Sequence, residues 1–407
     1  MGMPIVTARL LGPDGFHEYI VAVSMMTLLA TFCEFGTGKV ALKLIPDYYQ
    51  KKEWPRALGF WRFSLAISLS ISLLIAVAVV GYEWGHDQDF GDYLLGIAVL
   101  FLPPTVMCAV VSEFVIANRA TVRGTLVTKV ICPVTTFVLL ITVFSIRGSL
   151  DETIAIMCFG FSGVVGLLFA LYFFYRSAPG EVLAAEPERE RPSWIRHCAW
   201  FVVISLAMSW LAEISLIVME FADVASIEIA RFGAALKTGS IILLVAKSTN
   251  KFYQPIMSNI MSSKDWDLLL KIRDKRLRFI GAISIAFVIV IIVFGEQILS
   301  LYGPEYREAY HCLVMIAIGT STFNTFSMAP EFLKFSKQYK RVLGIQITIG
   351  IIMAGLTWWL GRAYGSYGAG MAVSISLLAM SLAFLFLTRL RVQDVLMEQA
   401  EGESDEV

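Results

Sequence analysis

One stretch of the sequence, IEIARFGAALKTGSIILLVAKSTNKFYQP, places several lysines in apolar surroundings. A helix turns about 100° per residue, so six residues of this stretch would share one face: Lys237, Ser240, Leu244, Lys247, Ser248 and Lys251. Ammonium groups bind phosphate as point charges, so this lysine face could receive a phosphate-bearing ligand. Alternatively, Lys247 and Lys251 extend to lipid headgroups. Arg231 is a further candidate ligand contact, or it pairs with Glu228 three residues earlier.

Acidic residues also interrupt apolar stretches, where an ionised group is costly and needs a cavity or a partner. Glu213 lies deep in SLAMSWLAEISLIVME, and Glu34 lies in the first apolar stretch. Either carboxyl group could carry a coupling proton or pair with a cation of a neighbouring helix. Lys39, five residues after Glu34, is predicted either to face the lysine face across a cleft or to contact headgroups.

Two further acids, Glu113 and Glu331, lie near the ends of apolar stretches. Arg119 and Lys334 are close to them in sequence. Ion pairs at the rim of a membrane are one interpretation of these acids, and a gate is the other.

The composition explains why charges in apolar stretches matter. The chain has 407 residues, of which 57% are hydrophobic and only 16% charged, and its mean hydropathy is +0.70. Soluble domains carry about 25% charged residues. The sequence is therefore that of a membrane protein. Its net charge of zero says nothing about nucleic acid, and no basic tail or basic amphipathic arm points to a nucleic-acid partner.

Eleven segments have the roughly 20 mostly apolar residues that cross a bilayer as a helix. They are 17–43, 57–82, 93–118, 125–146, 151–175, 197–220, 226–250, 277–300, 309–333, 341–362 and 366–389. Lys and Arg concentrate in alternate connections, which places those connections and the C-terminus in the cytoplasm. Counting back leaves the N-terminus outside with no signal to translocate it. We therefore expect that a first helix is missing and that the full complement is twelve spans.

A repeat divides these spans into two sets. RFSLAIS at Arg62 returns as RFIGAIS at Arg278, KEW at Lys52 as KDW at Lys264, and SEF at Ser112 as PEF at Pro330, in the same order. Two copies with an even number of spans have the same orientation. The predicted fold is all-α and polytopic, with two parallel six-helix lobes around a central cleft. The N-terminal lobe is 1–175, the cytoplasmic linker 176–196, the C-terminal lobe 197–391 and a disordered acidic tail 392–407.

Enzymatic and metal chemistry find no support in the sequence. The six cysteines are scattered singly without CxxC spacing, and the four histidines are equally dispersed, so no metal site is predicted. The sequence contains no Walker lysine motif, no GxGxxG leading into a helix and no HExxH. No external loop is large enough to build an acid/base site. No cofactor is predicted, although coupling to protons or sodium ions stays open.

Two segments resemble a known family. ARLLGPDGFHEYIVAVSMMTLLATFCEFGTG at Ala8–Gly38 and YGPEYREAYHCLVMIAIG at Tyr302–Gly319 are similar to bacterial polysaccharide flippases of the multidrug, oligosaccharidyl-lipid and polysaccharide exporter superfamily. The resemblance implies a flippase that moves a polyprenyl-pyrophosphate-linked oligosaccharide across the bacterial inner membrane by alternating access, for cell-surface polysaccharide synthesis. The partners it implies are this lipid-linked cargo, membrane lipids, and polysaccharide polymerase and assembly proteins. The absent first helix is a departure from the family pattern.

Other functions compete with this interpretation. A drug or organic-cation antiporter of the same superfamily would line its cleft with acids and aromatic residues, whereas the lysine face favours an anionic cargo. A passive scramblase, or a scaffolding subunit of a polymer-assembly complex, is the third alternative.

Overall fold

The computed structural model describes residues 2–84, 94–188, 191–250, 253, 266–336 and 338–404. Every regular element in these ranges is a helix, which confirms the predicted all-α class. The first ten are α1 (Gly2–Cys33), α2 (Thr37–Gln50), α3 (Trp54–Trp84), α4 (Leu94–Leu100), α5 (Leu102–Ala117), α6 (Thr121–Leu126), α7 (Cys132–Arg147), α8 (Glu152–Ser177), α9 (Gly180–Ala184) and α10 (Arg191–Phe221). The others are α11 (Ser226–Gly239), α12 (described over 243–250), α13 (Trp266–Ser300), α14 (Tyr310–Phe326), α15 (Met328–Phe335) and α16 (Tyr339–Ser404).

Within the described ranges, eight helices are long and apolar enough to cross a membrane. Two bent pairs, Leu94–Leu100 with Leu102–Ala117 and Pro304–Phe326 with Met328–Lys334, bring the number to ten. One of the eight, Tyr339–Leu390, is 52 residues long, more than twice the roughly 20 residues that one span requires. It therefore holds the last two of the eleven predicted spans.

The long helix α16 is broken at Gly365, whose φ is 58°. A Cβ on Gly368 would overlap the carbonyl oxygen of Leu360, eight residues earlier. In a continuous helix these residues would be about 12 Å apart. The chain consequently turns back at Gly365, between the predicted spans 341–362 and 366–389.

The helices form two compact units, 2–217 and 218–407. Most of α10 belongs to the first unit, and the predicted division in the segment 176–196 stays a prediction. Trp194 of α10 donates its indole N–H to the Tyr48 hydroxyl at 3.1 Å, and Gly36 packs on the α10 backbone at Cys198 and Val202. These contacts hold the start of α10 against α2 within the N-terminal unit.

Aromatic side chains dominate the core of the N-terminal unit around α3. Phe60 is fully buried and packs edge-on against Trp194, with ring centroids 5.6 Å apart. Trp61 stacks on Phe174 of α8 at 4.6 Å. Such pairs each stabilise a fold by about 0.5–1.5 kcal/mol beyond the burial of their area. They join α3, α8 and α10.

The two copies of the repeated heptapeptide end in equivalent buried hydroxyl groups. Ser68 is fully buried in the N-terminal unit and donates to the Glu34 carbonyl oxygen at 3.2 Å. Ser284 is 3% exposed in the C-terminal unit and accepts a hydrogen bond from the Asn324 amide at 2.9 Å. Each serine therefore joins its span to a neighbouring helix of its own unit.

Helix α16 extends beyond the last predicted span. It continues to Ser404, within the segment 392–407, whose predicted disorder stays a prediction. Val, Leu, Met, Glu, Gln and Ala follow the last span, and several of these are strong helix formers. Their propensity extends the helix although the segment is acidic.

A close helix contact at Gly160 generates the first prediction. A Cβ at Gly160 of α8 would overlap the Phe101 ring at the bend between α4 and α5. We expect Gly160→Ala to destabilise the protein by about 1–3 kcal/mol, because the ring must shift in a packed core. The measurement is the thermal unfolding midpoint of the purified protein in detergent.

The matched control is Gly355→Ala in α16, where a Cβ meets nothing within 4 Å. There the higher helix propensity of alanine should leave the midpoint equal or raise it. Equal midpoints for Gly160→Ala and the wild type would contradict the predicted contact.

Candidate functional site

The first predicted span is broken in the middle. Helix α1 ends at Cys33 and α2 begins at Thr37, and between them Phe35 (φ 50°) and Gly36 (φ 65°) are left-handed. The carbonyl oxygen of Glu34 accepts three donors there: the Thr37 amide at 3.0 Å, the Thr37 hydroxyl at 2.7 Å and the Ser68 hydroxyl at 3.2 Å. Breaks of this kind inside a bilayer are tolerated where other protein groups satisfy the backbone, and they are frequent at the binding sites of transporters.

Glycine is required at this break for two reasons. Gly36 adopts a left-handed conformation that side chains disfavour, and a Cβ there would lie 2.8 Å from the Val202 nitrogen and 2.9 Å from the Cys198 carbonyl oxygen of α10. The break is therefore locked between two helices of the N-terminal unit.

Two residues predicted for separate roles, Lys39 and Glu113, are paired with each other. Lys39 of α2 donates to the Glu113 carboxylate of α5, with 47% of the lysine side chain and 20% of the glutamate side chain exposed. Gly38 makes room for this contact, because a Cβ there would lie 2.9 Å from Glu113 Cγ. The predicted substrate contact and the predicted gate residue thus form one ion pair just after the helix break.

The two predicted coupling acids lie in the same unit. The Ser24 hydroxyl of α1 donates to Glu213 of α10 at 2.8 Å, and both carboxylates, Glu213 and Glu34, are half-buried. Seven residues further along α1, the hydroxyl groups of Thr31 and Ser209 are 2.8 Å apart. Polar contacts therefore follow the seam between α1 and α10 from Glu213 toward the break at Glu34.

In the C-terminal unit, the lysine face lies on the less buried side of α11 and α12. Ser240 and Lys237 are half-buried, whereas Leu244, Lys247 and Ser248 are exposed within their unit. A short 3-10 turn, Ser240–Ile242, interrupts the helix within this face. The sixth predicted member, Lys251, lies outside the described residues.

The opposite side of this interruption is anchored by hydroxyl groups. Thr320 of α14 donates to the Gly239 carbonyl oxygen at 2.8 Å, and the hydroxyls of Thr238 and Tyr302 are 3.0 Å apart. Burial raises the pKa of the Tyr302 hydroxyl, an effect that its contact with Thr238 reduces. The Thr-Gly pair at 238–239 thus resembles the Thr-Gly pair at 37–38, where Thr37 also bonds to a neighbouring helix.

Arg231, a predicted ligand contact, is held by a cluster at the start of α11. Its guanidinium pairs with Glu228 at 2.6 Å, donates to the Glu305 carbonyl at 3.0 Å and pairs with the more exposed Glu308. Glu228 in turn accepts the amide and hydroxyl of Ser366, at 2.8 and 2.6 Å, beside the reversal at Gly365. The cluster joins α11, the segment before α14 and the turn of α16.

Arg276 was not identified from the sequence. It is 1% exposed, donates to Asn250, Thr249 and the Ser327 hydroxyl, and lies over the Tyr253 ring. The signal that could have found it is the repeat, in which Arg276 takes the place of the buried Phe60 two residues before each heptapeptide.

Glu331, the other predicted gate residue, pairs with Lys334 at 3.0 Å.

Two further predictions concern metal binding and contacts between the lobes. Among the described residues, no group of three or more His, Cys, Asp or Glu side chains is arranged to hold a metal ion. The predicted placement of Lys39 opposite Lys237 involves both units and stays a prediction.

The fold is that of known membrane transporters. The chain matches a multidrug resistance MATE family transporter of the MOP superfamily, solved in its inward-facing conformation, with a TM-score of 0.84 and 14% identity over 97% of this chain and 94% of that one. It also matches a MOP superfamily transporter from Pyrococcus furiosus Vc1 (DSM3638), with a TM-score of 0.64 and 14% identity over 97% and 91% of the two chains. No family model and no curated protein matches the sequence. At these identities the likeness defines the fold.

The contacts of Gly36 generate the second prediction. We expect Gly36→Ala to lower the thermal unfolding midpoint, because it adds both a left-handed strain of about 1–2 kcal/mol and a collision with α10. Gly148→Ala is the matched control, since Gly148 is also left-handed (φ 75°) but has nothing within 4 Å of a Cβ. An equal loss of stability in the two variants would show that the contact with α10 contributes nothing.

The Arg231 cluster generates the third prediction. Glu228→Gln should destabilise the protein by about 2 kcal/mol, because it weakens charged hydrogen bonds at a site where only 14% of Arg231 and 25% of Glu228 are exposed. Glu308→Gln removes a second partner of the same arginine, but 71% of Glu308 is exposed. Its loss should therefore cost less than about 1 kcal/mol. Chemical denaturation of both variants measures the difference, and the reverse order would contradict the assignment.

Proposed function

We propose that this chain is a membrane transporter that exports an organic solute by alternating access. The observation that carries the proposal is the likeness to an inward-facing MATE family transporter, with a TM-score of 0.84 over nearly the full length of both chains. The broken span at Glu34–Thr37 and the 3-10 turn at Ser240–Ile242 support it, because irregular backbone within spans is typical of transporter binding sites. The proposed location is the cytoplasmic membrane of a bacterium.

The favoured cargo is a drug or organic cation. A multidrug resistance transporter has this fold, and the half-buried carboxylates of Glu34 and Glu213 provide acids of the kind that a cation carrier uses. The Lys39–Glu113 pair supports the same cargo, because the acid offsets the charge of Lys39, which lies three residues after the helix break.

The second candidate cargo is an anionic lipid-linked oligosaccharide, which the sequence resemblance implies. The observation in its favour is the lysine face, where Lys247 is exposed and has no ion pair among the described residues. The related structure from Pyrococcus furiosus is described as having a binding pocket of reverse polarity, which suggests a different function for that protein. Members of this fold can therefore differ in the charge of their pockets.

Ion coupling is assigned to Glu213. Its carboxylate accepts the Ser24 hydroxyl across the seam between α1 and α10, and a carboxyl group in apolar surroundings can exchange a proton as its environment changes. Proton or sodium movement through this seam would drive export. Glu34, at the helix break, is the second carboxylate on that route.

The experiment is transport by the full chain in proteoliposomes, with ethidium as the cationic probe and a fluorescent polyprenyl-pyrophosphate oligosaccharide as the anionic one. We expect an imposed proton or sodium gradient to drive transport of ethidium by the wild type. The Glu213→Gln variant should lose this dependence on the gradient. The Lys237→Gln/Lys247→Gln double variant should still move ethidium. Glu308→Gln, which removes an exposed acid outside the seam, is the charge control.

Each contrary outcome has a distinct meaning. Movement of the oligosaccharide alone, lost in the lysine double variant, would replace the drug cargo with the lipid-linked cargo. Movement of neither probe by protein that remains folded would contradict the proposal for both cargoes.

A further inference from the structure

A lateral groove of about 520 Å³ lies on the N-terminal unit near the start of α3. Its floor is one face of α3, because the lining residues recur at helical spacing: Gly59, Arg62, Phe63, Ala66, Ile67 and Ser70. Eleven residues separate the first from the last, so the groove follows α3 for about 16 Å. Its volume lies within the range of about 300–1,000 Å³ that is usual for ligand sites.

The walls of the groove are fixed in place. Trp194, on one wall, is 1% exposed, bonds to the Tyr48 hydroxyl and packs against Phe63 with ring centroids 5.5 Å apart. The linker closes the end of the groove, because Glu188 donates its amide to the Pro55 carbonyl at 3.1 Å and its own carbonyl lies directly on Gly59. The groove is therefore preformed.

Arg62 places a positive charge near this closed end of the groove. The exposed Arg62 has no ion pair or hydrogen bond in the part of the chain that the structure describes. Arg56, six residues earlier, contrasts with it, since it pairs with Glu53 at 3.1 Å and Glu188 at 3.4 Å. Glu53 and Glu188 are thus engaged by Arg56, and the guanidinium of Arg62 is available to an anion from outside the protein.

The lining of the groove changes from charged to apolar along its length, as the headgroup and the acyl chain of a lipid do. By the positive-inside rule, Arg62 lies near the cytoplasmic headgroups, and the side chains beyond it, Phe63, Ala66 and Ile67, are apolar. From Arg62 to Ser70 the helix rises about 12 Å, which is most of the roughly 15 Å depth of one leaflet's hydrocarbon. Arginine binds phosphate through two parallel hydrogen bonds.

We propose that this groove binds one anionic phospholipid of the cytoplasmic leaflet, with its phosphate on Arg62 and an acyl chain along Phe63, Ala66 and Ile67. The site lies wholly within the N-terminal unit, and the proposal does not depend on the cargo of the transporter. The bound lipid would stabilise the packing of α3 against the linker and the start of α10.

The test uses the purified full chain, titrated with phosphatidylglycerol or with phosphatidylcholine of the same acyl chains, with bound lipids counted by native mass spectrometry. We expect the wild type to bind phosphatidylglycerol about tenfold more tightly, the effect of one charged hydrogen-bonded contact. Arg62→Gln should abolish this preference. Ala66→Trp, which fills the groove, should weaken binding of both lipids.

Arg123→Gln is the matched control, because Arg123 is also an exposed cation near a predicted cytoplasmic helix end and makes no ion pair or hydrogen bond with the described residues. It should keep the wild-type preference. An equal loss in Arg123→Gln, or no preference in the wild type, would overturn the proposal in favour of general attraction to the surface. Displacement of phosphatidylglycerol by an equal concentration of inorganic phosphate would overturn the role of the apolar wall. Thermal unfolding in lipid-free detergent confirms that each variant is folded.

Discussion

The constraint on which the rest of this structure depends is that backbone groups inside a bilayer need partners from the protein itself. Continuous helices meet this requirement alone, but the described chain also contains breaks within predicted spans. At two of these breaks a side chain supplies what the helix lacks, because Ser68 donates to the Glu34 carbonyl and Thr320 donates to the Gly239 carbonyl. At the reversal between the last two spans, Glu228 accepts the Ser366 amide. The breaks are therefore built features of the fold.

The sequence predicted the elements of this fold well, and the reason is physical. Long apolar runs can only be helices in a bilayer, and the described residues of the eleven predicted spans are helical apart from short breaks such as 34–36. The repeat was also readable, because Ser68 and Ser284 end matching heptapeptides and each forms a hydrogen bond to another segment of its own unit, Ser68 as donor and Ser284 as acceptor. Tyr339–Ser404 illustrates what hydropathy alone handles poorly, since its tail is acidic yet helical.

The partners of individual charges were less predictable. Local pairs such as Arg231 with Glu228 follow from helical spacing, whereas Lys39 with Glu113 joins residues 74 positions apart. Such a pair depends on how α2 packs against α5, which hydropathy does not specify. The burial of Arg276 was not predictable for the same reason. In the sequence it belongs to a basic helix end, and only the packing of the helices makes it buried while the neighbouring Lys275 and Arg278 are exposed.

The distribution of charge between the two units limits where selectivity can arise. In the N-terminal unit, Lys39 is offset by Glu113, which leaves the half-buried Glu34 and Glu213 as the acids near the polar seam. In the C-terminal unit, Arg231 is offset by Glu228 and Glu308, whereas Lys247 stays exposed on the lysine face. Under the proposed function, a preference for cations would rest on Glu34 and Glu213 of the N-terminal unit, and a preference for anions on the lysine face of the C-terminal unit. Because a charged solute in a water-poor site needs an opposite charge from the protein, these two sets of residues would decide between the two proposed cargoes.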